Sequence, residues 1–292
     1  MPSRTLLLAT KIITLQGPEK LHEYSLRLPD IIAEEPIGFT NGLYRSDDYN
    51  TIYNLIYHDA TPTELFQYML EAYAVTEALW EYSTYFDSHR SWQFRSFVCS
   101  LIVRHLRNLP PNAHSVNELV SLDLVEYGAG AYSVLSLINH SCDPNVTRFN
   151  LPNGRVAVVT IKSICEKSEL LDNYGVHYAV NSREERRKHL EENYYFPCDC
   201  EACQSDWPLF NELKSCENLS LPLDKLKLYE RVCAMFHELF NKVIQGETVN
   251  LQDLIECLTF FESNFQLPFF KLNEAQETFK HYVNSVVTKN MV

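Results

Sequence analysis

Apolar residues recur at three- and four-residue spacings through much of the chain, and the spacing changes character near its middle. In "ATPTELFQYMLEAYAVTEALWEY", Thr61 and Glu64 have the separation of a capping box, Pro62 sits at a first helical position, and Leu65, Met69, Tyr73 and Trp80 fall on one face. A second helix is predicted from about Trp92 to Leu109, with Phe94, Phe97, Val98, Leu101, Ile102 and His105 along one side and Pro110 and Pro111 ending it. Upstream, Leu6, Leu7, Ile13 and Leu15 predict a first helix facing a core.

From about Val125 to Tyr174 the pattern shortens. Gly128, Gly130, Pro144, Pro152 and Gly154 punctuate "AYSVLSLI" and "GRVAVVTI", which read as strands. "NSREERRKHLEENYYF" then begins with Ser182 and Glu185 at capping-box spacing and reads as a charged helix. Beyond Pro208 two or more amphipathic helices follow. Tyr229, Val232, Cys233, Phe236, Leu239, Phe240 and Val243 form one stripe; Leu251, Leu254, Ile255, Leu258 and Phe261 form another, and both are expected to pack on each other or on the core. The expected class is α+β, with a β-rich middle between helical flanks.

Composition adds limits. With 46% hydrophobic residues in 292, the chain can bury a sizeable core in two or three subdomains, and no apolar run approaches the roughly 20 residues of a membrane span. Lys11 interrupts the apolar N-terminal run and no small-residue cleavage pattern follows it. An intracellular location is therefore expected rather than export, and a first helix explains the run better than a mitochondrial presequence. The net charge of −13 disfavours direct nucleic-acid binding and favours a lysine- or arginine-rich protein partner. Nine cysteines without a secretory leader read as thiols or metal ligands rather than as a disulfide framework.

Cys198, Cys200 and Cys203 in "FPCDCEAC" form a C-x-C-x-x-C pattern that brings three thiolates to one point. A tetrahedral structural zinc needs a fourth sulfur or nitrogen. Spacing alone leaves Cys142, Cys216 or a histidine open as that ligand. Taken singly, Asn139 reads as a turn residue, His140 as a hydrogen-bonded core histidine, and Tyr174 and Phe196 as core aromatics.

In combination these residues say more. "GAGAYSVLSLINHSCDPNV", "LLDNYGVHYA" and "REERRKHLEENYYFPCDCEAC" resemble, in that order, the second half of the SET domain and the post-SET zinc segment of the SET-and-MYND protein-lysine methyltransferases, nearest the branch with tetratricopeptide helices. The strong resemblance covers about Val125 to Trp207. It implies a helical SET-insert-like region at 1–124, a SET core at 125–190, a post-SET zinc segment at 191–207 and a helical, tetratricopeptide-like region at 208–292. It further implies S-adenosylmethionine as cofactor, bound by Asn139, His140, Tyr174 and Phe196, with Tyr174 at the methyl-transfer centre and Tyr194 lining the lysine channel. Cys142 becomes the implied fourth ligand of one structural zinc, and the substrate a protein with a basic, lysine-containing segment. Family members occur in cytoplasm and nucleus.

The chain also departs from the family. No cysteine precedes Cys99, so the zinc finger of the family is expected to be absent, and "TNGLYR" around Gly42 imitates the glycine motif of the N-terminal SET segment in the wrong context. "CEKSELLDNYG" keeps Glu169 but carries Lys167 and Ser168 where the family has other neighbours. Two functions follow: a lysine methyltransferase that begins after the finger, or an inactive, zinc-stabilised interaction module.

Overall fold

The computed structural model describes residues 3–33, 49–57, 59–120, 123–151, 154–216 and 222–289. Gly42 and the Cys216 side chain lie outside this description. Two compact units emerge, Met1–Val116 with Tyr127–Leu137, and Asn117–Glu126 with Ile138–Val292.

The first unit is built on helices whose caps are written in the sequence. Ser3 accepts a hydrogen bond from the Leu6 amide and starts α1 (Arg4–Gln16), which Gly17 ends at φ +86°. Among the described residues four more helices follow in this unit: α2 (Pro18–Ala33), α3 (Tyr49–Tyr53), α4 (Pro62–Glu81) and α5 (Trp92–Asn112). The Thr61/Glu64 capping box opens α4, with the Glu64 amide donating to Thr61 Oγ1 at 3.3 Å and the Thr61 amide to Glu64 Oε2 at 2.8 Å.

The inward faces differ from the expected ones in two helices. In α1 the buried set is Leu6, Ala9, Ile12 and Ile13, so Leu7 and Leu15 turn outward. In α4 the buried row is Ala72, Thr76 and Trp80, while Leu65, Met69 and Tyr73 are exposed. Small Ala72 allows close helix approach, and Thr76 satisfies its hydroxyl on the Ala72 carbonyl at 2.7 Å, which makes this face cheap to bury. Helix α5 also passes its two prolines. They remove backbone donors in the last turn, where Asn112 Nδ2 instead donates to the Asn108 carbonyl at 2.6 Å and to Ile56 O at 2.7 Å.

Strands β1 (Ala113–Val120) and β2 (Asp123–Ala131) pair as a two-stranded sheet. The next stretch corrects the sequence reading. "AYSVLSLI" is a turn and a short 3-10 helix at Leu135–Leu137, because the Ser136 amide donates to Tyr132 O at 2.9 Å and its hydroxyl to Asn112 O at 2.9 Å.

In the second unit β3 (Asn139–His140) pairs in parallel with β6 (Leu171–Asp172), and β4 (Val146–Leu151) pairs antiparallel with β5 (Arg155–Thr160), which lies within "GRVAVVTI" as expected. Helices α6 (Arg183–Tyr194), α7 (Glu201–Gln204) and α8 (Phe210–Cys216) follow. The tail forms α9 (Leu223–Ile244), α10 (Leu251–Asn264) and α11 (Phe270–Lys289). Val232, Phe236 and Leu239 of α9 share a core with Leu254, Leu258 and Phe261 of α10 and with Leu272 and Phe279 of α11. Ile161 joins the same core, and Glu262 accepts from the Ser163 amide at 2.9 Å, so the tail packs on the segment after β5. Among the described residues no helix is long and apolar enough to cross a membrane.

Candidate active site and metal centre

The site forms where two distant segments cross. The β3–β6 pair aligns Asn139 with Leu171 and His140 with Asp172. Side chains extend the pairing: Asn145 Oδ1 accepts from the Leu171 amide at 2.8 Å, and Asn173 Nδ2 donates to the Ser141 carbonyl at 3.3 Å. The Tyr178 amide then donates to the Cys142 carbonyl at 3.1 Å. Gly175, at φ +97°, turns the chain immediately after Tyr174.

The cysteines converge at this crossing. Cys142 lies just beyond β3, Cys198 and Cys200 on the loop after α6, and Cys203 on α7, whose first turn is fixed by the Cys203 amide donating to Cys200 O at 2.8 Å. All four sulfurs lie within 4.8 Å of one another, with Cys142 Sγ 3.5 Å from Cys203 Sγ and 3.9 Å from Cys198 Sγ. A tetrahedron of zinc–sulfur bonds near 2.3 Å has edges of about 3.8 Å, so the four residues fit a closed zinc site. Cys142 and Cys203 are fully buried. Hydrogen bonds with Cys142 and then Cys198 lower the Cys200 thiol far below its ordinary pKa, while those with Cys198 and then Cys200 raise Cys142.

His140 joins this centre to the neighbouring tyrosine. Its Nδ1 accepts from the Tyr174 amide at 3.1 Å, and burial lowers its pKa to about 4, so the ring is neutral with its proton on Nε2. That proton points at Cys142 Sγ, 3.3 Å away. Tyr174 donates its hydroxyl to the Ile138 carbonyl at 2.7 Å; burial, assisted by Asp172 and Tyr194, pushes its pKa up to about 12. Its ring lies 4.7 Å from that of Tyr194 and 6.5 Å from that of Phe196, centre to centre. Tyr195 adopts a left-handed conformation at the end of α6, φ +63°, and this reversal carries Phe196 back toward His140, 6.1 Å between ring centres.

Tyr174, Tyr194 and Phe196 thus form a half-buried aromatic wall against the core that contains Cys142, Cys198 and Cys203. The Asn139 side chain is not part of this wall: on β3 beside His140 it is exposed, and its Nδ2 donates to Glu169 Oε1 at 2.6 Å. Two residues were not singled out by sequence reasoning. Asp172 is buried and paired with Arg148 at 2.6 Å. Arg186 is fully buried inside what reads as a solvated helix, and the signal for it was present, since Arg186, Leu190 and Tyr194 recur at four-residue spacing on the inward face of α6.

Comparison with known proteins identifies the family. A family model described as SET domain matches residues 28–175, a span that takes in α3, α4 and α5 upstream of β1 but not α1. Mouse protein-lysine N-methyltransferase SMYD4 is 27% identical over 257 residues, covering 76% of this chain and 31% of the relative. Human histone-lysine N-methyltransferase SMYD3 is 39% identical over 90 residues, covering 30% and 20%. SET domain-containing protein 3 of Caenorhabditis elegans is 32% identical over 96 residues, covering 32% and 20%. The chain spans about a third or less of the length of these relatives.

Proposed function

Because this chain belongs to the SET-domain family, we propose that it is an S-adenosylmethionine-dependent protein-lysine N-methyltransferase of the SET-and-MYND type, with one structural zinc at its four-cysteine centre. The observation that carries this reading is the convergence of Cys142 with Cys198, Cys200 and Cys203 beside the His140–Tyr174 hydrogen bond. On this reading residues 125–190 are the SET core and 191–207 the zinc segment, with 1–124 an insert-like region and 208–292 a tetratricopeptide-like region.

The aromatic wall suits the sulfonium cation of the cofactor, since ring faces attract positive charge. Asn139, His140, Tyr174 and Phe196 would hold S-adenosylmethionine, and Tyr194 would line the lysine channel. When bound, the cofactor supplies a methyl group already activated by its sulfonium centre. The remaining work falls to this chain. Tyr174 keeps its proton at neutral pH, so it positions rather than removes protons: its O–H is anchored on Ile138, and its oxygen lone pairs stay available to the incoming amine. A lysine amine, with an ordinary pKa near 10.4, loses its proton more readily when desolvated among Tyr174, Tyr194 and Phe196. Holding that amine in line is an orientation effect of several kcal/mol. The zinc ties Cys142, beside the crossing, to the segment that carries Phe196, and so fixes the aromatic wall.

Isothermal titration of the zinc-loaded chain with S-adenosylmethionine tests the reading. A micromolar affinity, about −8 kcal/mol, is expected. A folded, zinc-loaded chain that shows no binding would overturn the enzymatic reading in favour of an interaction module.

A further inference from the structure

Arg186 presents an unbalanced charge. Its guanidinium is permanently cationic and fully buried on α6. Among the described residues no carboxylate pairs with it. Nη1 donates to Asn181 O at 2.6 Å, Nη2 donates to Ala202 O at 3.1 Å and reaches Cys203 Sγ at 3.7 Å, and Nε has no partner. Neutral carbonyls satisfy hydrogen bonds without neutralising a cation, and a buried cation is tolerated only beside compensating charge.

The cysteine centre supplies that charge. Four thiolates around a divalent ion leave two net negative charges, in a core that is largely apolar. We propose that Arg186 is the outer-shell cation of this centre, partly neutralising the thiolate-bound ion through Cys203 and thereby raising its affinity. The role rests on the zinc reading above. It is also asymmetric: His140 donates from neutral Nε2 to Cys142 at 3.3 Å, whereas Arg186 brings a full charge to the Cys203 side. Outer-shell partners of this kind tune metal affinity as well as ligand orientation.

The test first measures the zinc content of the wild-type chain, then its zinc affinity by competition with a calibrated chelator, beside Arg186→Lys and Arg186→Gln. Gln keeps amide donors for the two carbonyls and loses the charge; Lys keeps the charge. Arg186→Gln is expected to bind zinc about 10- to 100-fold more weakly, with Arg186→Lys much closer to wild type. Zinc held equally tightly by Arg186→Gln and wild type overturns the proposal, as does a Lys variant that falls as far as Gln. A wild-type chain without zinc overturns the metal reading and this role with it. If Arg186→Gln does not fold even with metal, cadmium-113 NMR of the wild-type chain decides. Scalar coupling from cadmium to the Arg186 Nη hydrogens across Cys203 Sγ is expected, and resolved guanidinium signals without it overturn the proposal.

Discussion

The sharpest test of the proposed chemistry is Tyr174→Phe. Burial raises the Tyr174 pKa to about 12, so at pH 8 only about one molecule in ten thousand carries a phenolate. The hydroxyl is therefore a donor to Ile138 O, and its removal deletes one neutral hydrogen bond, worth about 1 kcal/mol of stability. The chemical step should suffer more, because the amine loses the oxygen that orients it; a loss of about 100-fold in kcat is expected, with zinc content unchanged. The pH dependence discriminates further. If only the substrate amine titrates, kcat/KM rises with pH in wild type and variant alike and the two profiles run parallel. The assay is methyl transfer to a lysine peptide from pH 6.5 to 10, with a melting curve and zinc analysis on each protein. An ionisation between pH 7 and 10 that is present in wild type and lost in Tyr174→Phe would refute the reasoning, and so would unchanged turnover.

Other outcomes follow from the same structure. Cys200→Ser removes one of four converging sulfurs and should release zinc and loosen the segment from Cys198 to Trp207; retention of one zinc per chain, measured by mass spectrometry, would exclude the ligand set. His105 is fully buried between Tyr49 and Asn108, and burial lowers its pKa to about 4 from an unfolded value near 6.5. Its neutral form is thus favoured by folding. The contribution of His105 to stability should be constant above pH 6.5 and fall by up to about 3 kcal/mol as pH drops toward 4, and His105→Gln should remove that part of the slope in urea denaturation curves. Glu262→Ala removes the acceptor for the Ser163 amide and hydroxyl and should cost about 1 kcal/mol, read by the same denaturation; no change would mean water replaces the contact.

The cysteine cluster was legible in the sequence where short spacing dictates geometry. Cys198, Cys200 and Cys203 announce themselves because three thiols in six residues share one turn. Cys142 could not be chosen over Cys216 or a histidine by spacing, since its approach depends on the parallel β3–β6 pairing, a long-range event. Caps were equally legible, as the Thr61 and Ser182 boxes form as written. Burial was less so. In α4 the larger apolar residues Leu65, Met69 and Tyr73 attract attention, yet the small row Ala72–Thr76 packs inward because it permits close approach. Arg186 fails in the opposite direction. A charged residue in a highly charged helix reads as solvated, and only the face it shares with Leu190 and Tyr194 reveals otherwise.

The distance in sequence between the two cysteine clusters is itself part of the design. An ion held by four cysteines from one short loop would stabilise only that loop. Because Cys142 lies two residues beyond His140, and Cys198 two beyond Phe196, an ion shared by both clusters would fix the aromatic wall at two points. His140 carries the constraint onward, since its ring joins Cys142 Sγ on one side to the Tyr174 amide on the other. Movement of Cys142 by an ångström therefore reaches Tyr174 through two hydrogen bonds, and a reaction governed by orientation is sensitive to displacements of that size. A metal with no part in the chemical step can in this way set its rate, through the position of a ring it never touches.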